Sequence, residues 1–261
     1  MPTLPNEPHR FREVAESFGD DAARYDRARP RYPLPVIDRI VREAPGPDLL
    51  DVGIGTGIAA AQFRDAGCSV LGVDVDDRMA AVARRRGFPV EIATIEQWDP
   101  AGRRFDAVVA AQTWHWVDPV AGARKVAAAL RPGGRVSLFW NVYRPAPELA
   151  REFGAVYTRV LPALPFRPWE TTVATSGFTT PGRDGLAATG AFGEAQTWEV
   201  GWEHEYSKEA WLDQVPTSGG HSRLPADQLA ALLDGFAAVI DANGGTITMP
   251  FVTVVLSATR R

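Results

Sequence analysis

The chain has 261 residues, 45% of them hydrophobic, with eight tryptophans, enough to bury a substantial core. A net charge of −4 and a sequence pI near 5.6 argue against a nucleic-acid or anionic-membrane binder held by bulk charge, so neither partner is expected. The single cysteine, Cys68, excludes an intrachain disulfide and leaves no zinc-type cluster, so no metal site is expected. The N-terminus has no apolar signal region and no apolar run approaches membrane-spanning length, which makes a cytoplasmic setting the expectation. Local basic patches, "RARPR" and "RRR" at 84–86, read as solvated helix or loop surface.

Strands and helices alternate from about residue 34 to 142. "PLPVIDRIVREA" predicts an amphipathic helix that ends at a Pro-Gly-Pro break, and "DLLDV" a short buried strand. "GIAAAQFRDAG" predicts a helix closed by Gly67, "SVLGVD" a second strand, and "DRMAAVARRRG" a helix closed by Gly87. "PVEIAT" is a third strand, and "RFDAVVAAQ" a fourth whose apolar run suits burial on both faces. "PVAGARKVAAALRPGG" predicts a helix stopped by Pro-Gly-Gly, and "RVSLFWNVY" a fifth strand. Beyond Tyr143, "PELAREFGAVYTRVL" looks helical, and the Pro-, Gly- and Thr-rich stretch to Gly185 predicts an irregular, lid-like excursion. "FGEAQTWEVGWEHEYS" reads as a strand pair or one long bent strand; "KEAWLDQV" and "PADQLAALLDGFAAVIDANGG" as helices; "TITMPFVTVVLSAT" as a strand. Such alternation means βαβ units, a parallel sheet with helices on both faces, and ligands at the switch point beyond the strand ends.

The first strand runs into "LLDVGIGTG". Gly53, Gly55 and Gly57 let the backbone turn sharply and approach a ligand closely. Asp74 ends the next strand, 21 residues after Gly53, where a carboxylate takes both hydroxyls of a ribose. A dinucleotide site needs a third glycine at position 58, which is Ile58 here. Asp51 also stands two residues before the first glycine, where it would repel a pyrophosphate but favour an ammonium. The loop therefore prefers a nucleoside with a cationic tail and no phosphate, such as S-adenosylmethionine.

D-x-G-x-G-x-G resembles the first motif of the class I S-adenosylmethionine-dependent methyltransferases, in the small-molecule branch called type 11. "YDRARPRYP", "GVDVDDRM", "TIEQW", "FDAVVAAQTWHW" and "LRPGGRVSLFW" follow in that family's order, and the C-terminal "GGTITMPFVTVVLSATR" looks like its last strand. The resemblance implies a Rossmann-like, doubly wound α/β sheet of seven strands, mostly parallel with the last antiparallel. It implies one domain over 1–261: a cofactor core at about 34–142, cap and substrate elements at about 10–33 and 143–242, and a final strand at about 245–258. By the same resemblance, Asp51, Gly53, Gly55, Thr56 and Gly57 hold the methionine end of the cofactor and Asp74 takes the ribose. Val75 and Met79 lie near the ribose or adenine, and Thr94, Ile95 and Glu96 border the adenine. Ala111 and Gln112 meet the amino group, Arg29 pairs with the carboxylate, and Tyr25 lies near the sulfonium. Asp76 and Asp77 read as a helix cap instead.

In "AAQTWHWVDP", at 110–119, a histidine sits between two tryptophans where the fourth strand ends. That end borders cofactor and substrate in this fold, so His115 is the candidate general base. Trp114 and Trp116 are candidate substrate contacts, although alternation along a strand end puts one of the two in the core. Trp140, Tyr143 and His221 are further candidates for the acceptor pocket. The expected reaction is in-line methyl transfer to a small organic acceptor, at a hydroxyl or carboxylate oxygen, by a monomer or homodimer. Nitrogen or carbon methylation, and a non-methylating cyclisation or rearrangement, stay open at this stage.

Overall fold

The computed structural model describes residues 17–163, 169, 174–218 and 220–261; His9 lies outside them. Short, largely apolar and mostly buried runs form the centre of the sheet: β1 (Asp48–Val52), β2 (Ser69–Asp74), β4 (Phe105–Ala111) and the inner part of β5 (Leu130–Tyr143). The three-residue β3 (Val90–Ile92) closes one edge, and β6 (Gln196–Ser207) with β7 (Thr246–Thr259) completes the other. The order is β3-β2-β1-β4-β5-β7-β6. β1 to β5 are mutually parallel, and β7 runs antiparallel to both β5 and β6. The strand order therefore reverses between β1 and β4, and the carboxyl ends of β1, β2, β4 and β5 share one edge.

Alternate side chains of β4 and β5 feed two cores. Leu50, Val108, Ala110, Leu138 and Trp140 pack beneath α5 (Pro119–Ala129) and α7 (Ser176–Thr189). Leu49, Val109, Phe139 and Val255 pack beneath α2 (Leu34–Glu43) and α3 (Ile58–Asp65). A third core, built on Phe153, Tyr157, Trp211, Phe236 and Phe251, joins α6 (Pro147–Val160), α8 (Lys208–Gln214) and α9 (Ala226–Ala242) to the far ends of β6 and β7. α1 (Ala22–Ala28) and the 3₁₀ turn Ser17–Asp21 lie over the strand ends, and α4 (Asp77–Arg85) follows β2. Asp76 is the N-cap of α4, accepting from the Arg78 amide at 2.9 Å. Among the described residues, no helix is long and apolar enough to cross a membrane.

Two elements differ from the sequence expectation, and a third, β6, takes one of the two forms it allowed. The Pro-Gly-Gly that should stop α5 lies inside β5: Phe105 pairs with Leu130 and Ala107 with Arg135, so 131–134 forms a bulge, with Gly133 at φ 78°. The stretch expected to be irregular contains α7, despite its glycines and Pro181. Propensity alone disfavours that helix. Its glycines permit the packing that favours it. A Cβ on Gly185 would stand 2.2 Å from the Pro119 carbonyl oxygen, and one on Gly182 3.1 Å from Leu138 and Leu256. β6 is one unbroken strand of 12 residues, because β7 pairs along its whole length.

Candidate active site

A cavity opens on the carboxyl edge of the sheet. It spans about 1320 Å³ of space between atoms, open solvent at its mouth included. β1 and the glycine loop form its floor. Gly53 turns with φ 71°, where a Cβ would meet Thr113 at 2.2 Å, so this position requires glycine. The Gly53 amide donates to the Val73 carbonyl at 2.7 Å, and the Gly55 amide to Asp74 Oδ2 at 2.7 Å. The Asp76 amide donates to Asp74 Oδ1 at 2.9 Å. Asp74 is thus braced by two amides at the end of β2, with lone pairs left for a ligand.

Asp51 is the unusual group. It is 1% exposed, and neither carboxylate oxygen has a hydrogen-bond partner among the described residues. Burial, with the Asp74 charge beside it, pushes its carboxyl up to about 8. Two buried acids facing one cavity form a cation-binding arrangement. Gln112 stands nearby with φ 58°; its Nε2 donates to the Asn141 carbonyl at 3.1 Å, which leaves Oε1 buried and partnerless.

The other end of the cavity is aromatic. Phe18, Tyr25, Trp116, Tyr143 and Phe251 line it together with Arg29. Phe18 joins Tyr25 and Trp116 at centroid distances of 5.8 and 6.3 Å, and the Arg29 guanidinium lies 5.0 Å from the Tyr25 ring centre. Arg29 donates to the Thr217 carbonyl, while its Nε is buried without a partner. Ion pairs hold this N-terminal cover in place: Arg86 to Asp26 at 2.5 Å on the α4 side, and Arg27 to Asp213 at 2.8 Å on α8.

The structure brings most of the sequence candidates to this one cavity: Tyr25, Arg29, Asp51, Gly53, Gly55, Thr56, Asp74, Val75, Met79, Thr94, Ile95, Glu96, Ala111, Gln112, Trp116 and Tyr143 all line it. Gly57 does not; it is the N-cap of α3, at φ 85°. Trp114 and Trp140 are buried in the core under α7 and do not reach the cavity.

His115 is also outside the lining. It packs against Trp116 and Phe178, with centroids 4.8 and 6.0 Å away, and its Nδ1 accepts from Trp140 Nε1 at 3.1 Å. An indole N–H only donates, so the imidazole carries its proton on Nε2. Burial pushes it down to about 3. A neutral ring with its one lone pair already used is a poor general base, which removes the reason for that assignment. The Trp-His-Trp corner divides its work: Trp114 and His115 pack the sheet against α7, and Trp116 faces the cavity.

His221 lies in the cap. It donates through Nδ1 to the Ser218 carbonyl at 3.0 Å and pairs through Nε2 with the Tyr157 hydroxyl at 2.7 Å. Sequence reasoning missed Phe18, Tyr32, Asn141 and Phe251 on the lining. Asn141 had a signal, a lone amide in the apolar run "LFWNVY"; the others look like ordinary core residues.

The reversed sheet order and a cavity floored by this loop define the fold of the class I methyltransferases. Residues 50–138 match the family described as a methyltransferase domain. A protein of Mycobacterium tuberculosis named as an uncharacterised methyltransferase is 31% identical over 258 residues, covering 95% of this chain and 97% of that one. A ubiquinone biosynthesis O-methyltransferase of Methylobacterium is 36% identical over 134 residues, 48% of this chain and 51% of its own. A protein of Anaeromyxobacter dehalogenans solved as a type II methyltransferase superposes with a TM-score of 0.61 at 22% identity, over 88% of this chain and 97% of that one. The chain belongs to the class I S-adenosylmethionine-dependent methyltransferases. It is an enzyme that transfers methyl groups from that cofactor.

Proposed function

We propose that the protein methylates a small organic acceptor at a hydroxyl or carboxylate oxygen. The observation that carries the cofactor half of this reading is the pair of partnerless Asp51 oxygens, buried beside a second acid and a partnerless Gln112 Oε1. That set of acceptor oxygens fits an ammonium and disfavours a phosphate. Asp51 and Gln112 would hold the amino group of S-adenosylmethionine, Arg29 its carboxylate, and Asp74 its ribose. Val75, Met79, Thr94, Ile95 and Glu96 would border the adenine. When bound, the cofactor supplies a methyl group already activated on a sulfonium, so the protein's part is alignment and exclusion of water.

The acceptor enters at the ring-lined end, where Trp116 and Tyr143 flank it and the cover formed by Phe18 and Tyr25 shields it. The Tyr25 face favours positive charge at the sulfur. The relative named as an O-methyltransferase supports oxygen as the target. A cytoplasmic setting fits a chain whose single cysteine is free.

Calorimetric titration with S-adenosylhomocysteine, followed by transfer of labelled methyl into fractions of a bacterial metabolite extract, tests the reading. Micromolar binding and a labelled product that mild base releases as methanol or leaves as a methyl ether support oxygen transfer. A product labelled on nitrogen or carbon refutes the oxygen assignment. Absence of binding to ligand-free protein refutes the cofactor site.

A further inference from the structure

The ring-lined end of the cavity contains one amide whose orientation is decided by its neighbours. Asn141 and Thr253 face each other across the β5–β7 pairing. Trp202 Nε1 donates to Thr253 Oγ1 at 2.9 Å, and Thr253 Oγ1 lies 2.6 Å from Asn141 Oδ1. An indole can only donate, so the threonine hydroxyl accepts from it and passes its own proton to Asn141 Oδ1. The chain of bonds runs in one direction, and it fixes Oδ1 as the buried acceptor. Thr253 is fully buried and Asn141 is 5% exposed. Its Nδ2 donates to no partner among the described residues, yet it is not among the atoms sealed from solvent. The remaining exposure of Asn141 is to the cavity it lines.

Gln112 has the opposite polarity. Its Nε2 is used on the Asn141 carbonyl, so Oε1 is left as a buried acceptor without a partner. An ammonium needs acceptors and finds them in Gln112 and Asp51. It cannot use the Asn141 donor. That donor requires a lone pair, and it lies two residues along β5 from Tyr143, which pairs with Phe251 as Asn141 pairs with Thr253.

We propose that Asn141 Nδ2 is the hydrogen-bond donor that grips the oxygen of a ring-bearing hydroxyl acceptor, and that Thr253 and Trp202 are positioning residues that hold it in that orientation. The inference rests on the function proposed above and names the acceptor class for the same cavity. Both parts follow from the lining: flat rings favour a flat ring, and one fixed N–H selects an oxygen lone pair over a methyl or an ammonium.

The test compares 2-naphthol with naphthalene, which lacks the hydroxyl, on protein saturated with S-adenosylhomocysteine. A neutral hydrogen bond contributes roughly fivefold in affinity, so the wild type should bind 2-naphthol about fivefold more tightly than naphthalene. That preference should fall to near unity in Asn141→Leu and in the near-isosteric Thr253→Val. It should return in Thr253→Ser, which restores the hydroxyl. Affinity for S-adenosylhomocysteine should stay within about twofold throughout, because the Asn141 carbonyl that holds Gln112 belongs to the backbone and survives every substitution. A merely structural role would shift both probes together and leave their ratio unchanged.

A preference unchanged in Asn141→Leu overturns the proposal, as does failure of 2-naphthol to bind the loaded wild type. A selective loss of S-adenosylhomocysteine affinity in Asn141→Leu also overturns it, because the donor would then serve the cofactor carboxylate. Failure of the wild type to bind S-adenosylhomocysteine is a different result, which removes the proposed function itself.

Discussion

Asp51 makes cofactor binding a proton-linked event. In the free protein its carboxyl titrates at about 8, so at pH 6 only about one molecule in a hundred carries the charge an ammonium requires. Binding the cation at that pH must expel a proton. The affinity for S-adenosylhomocysteine should fall roughly fiftyfold between pH 8 and pH 6, approaching one decade per pH unit. Titration calorimetry at pH 6 in two buffers of different ionisation heat should report close to one proton released per ligand. Asp74 faces the same cavity and is also raised by burial, but the Gly55 and Asp76 amides pull it back. His115 and His221 lie at about 3 and about 4, so neither titrates in this window.

Asp51→Asn should abolish the pH dependence along with most of the affinity. The same variant should stabilise the free protein at pH 7. A raised carboxyl contributes its full stability below the ordinary value of 3.8 and loses it as pH climbs to about 8. Holding that proton at pH 7, some three decades above the ordinary value, costs up to about 4 kcal/mol. An affinity that is flat from pH 6 to 8, with no buffer-dependent heat, would refute the reasoning.

Four other substitutions separate packing from function. Trp114→Ala should cost about 3–5 kcal/mol in urea unfolding because it empties a closed core, whereas Trp116→Ala should cost far less and act mainly on acceptor KM; equal stability losses would contradict the division of the corner. His115→Gln should leave kcat within about fivefold and the pH–rate profile unchanged; a loss of ~10²–10⁴, the usual contribution of a general base, would return the histidine to the chemistry. Gly185→Ala should lower stability by about 1–3 kcal/mol through overpacking against the Pro119 carbonyl, with cofactor affinity retained; a neutral result by thermal unfolding would show that α7 shifts freely on α5.

The order of strands and helices, the parallel core and the glycine loop were legible in the sequence because each rests on short-range physics. Apolar runs of strand length, glycines that only a sharp turn accommodates, and an acid 21 residues beyond Gly53 carry their meaning locally. Alternation along the fourth strand even implied that one tryptophan of the corner is core, though it could not say which. The structure decided what depends on distant partners. α7 is a helix because Gly182 and Gly185 let it sit against the sheet and α5, a fit that no local propensity records. His115 looked like a base in sequence, but Trp140, 25 residues away, takes its lone pair. Asn141 looked like an interruption in an apolar strand, until Thr253, 112 residues away, turned its amide into a fixed donor. Backbone preference is written within a few residues, whereas the direction of a hydrogen bond is set only when the folded chain brings its partner alongside.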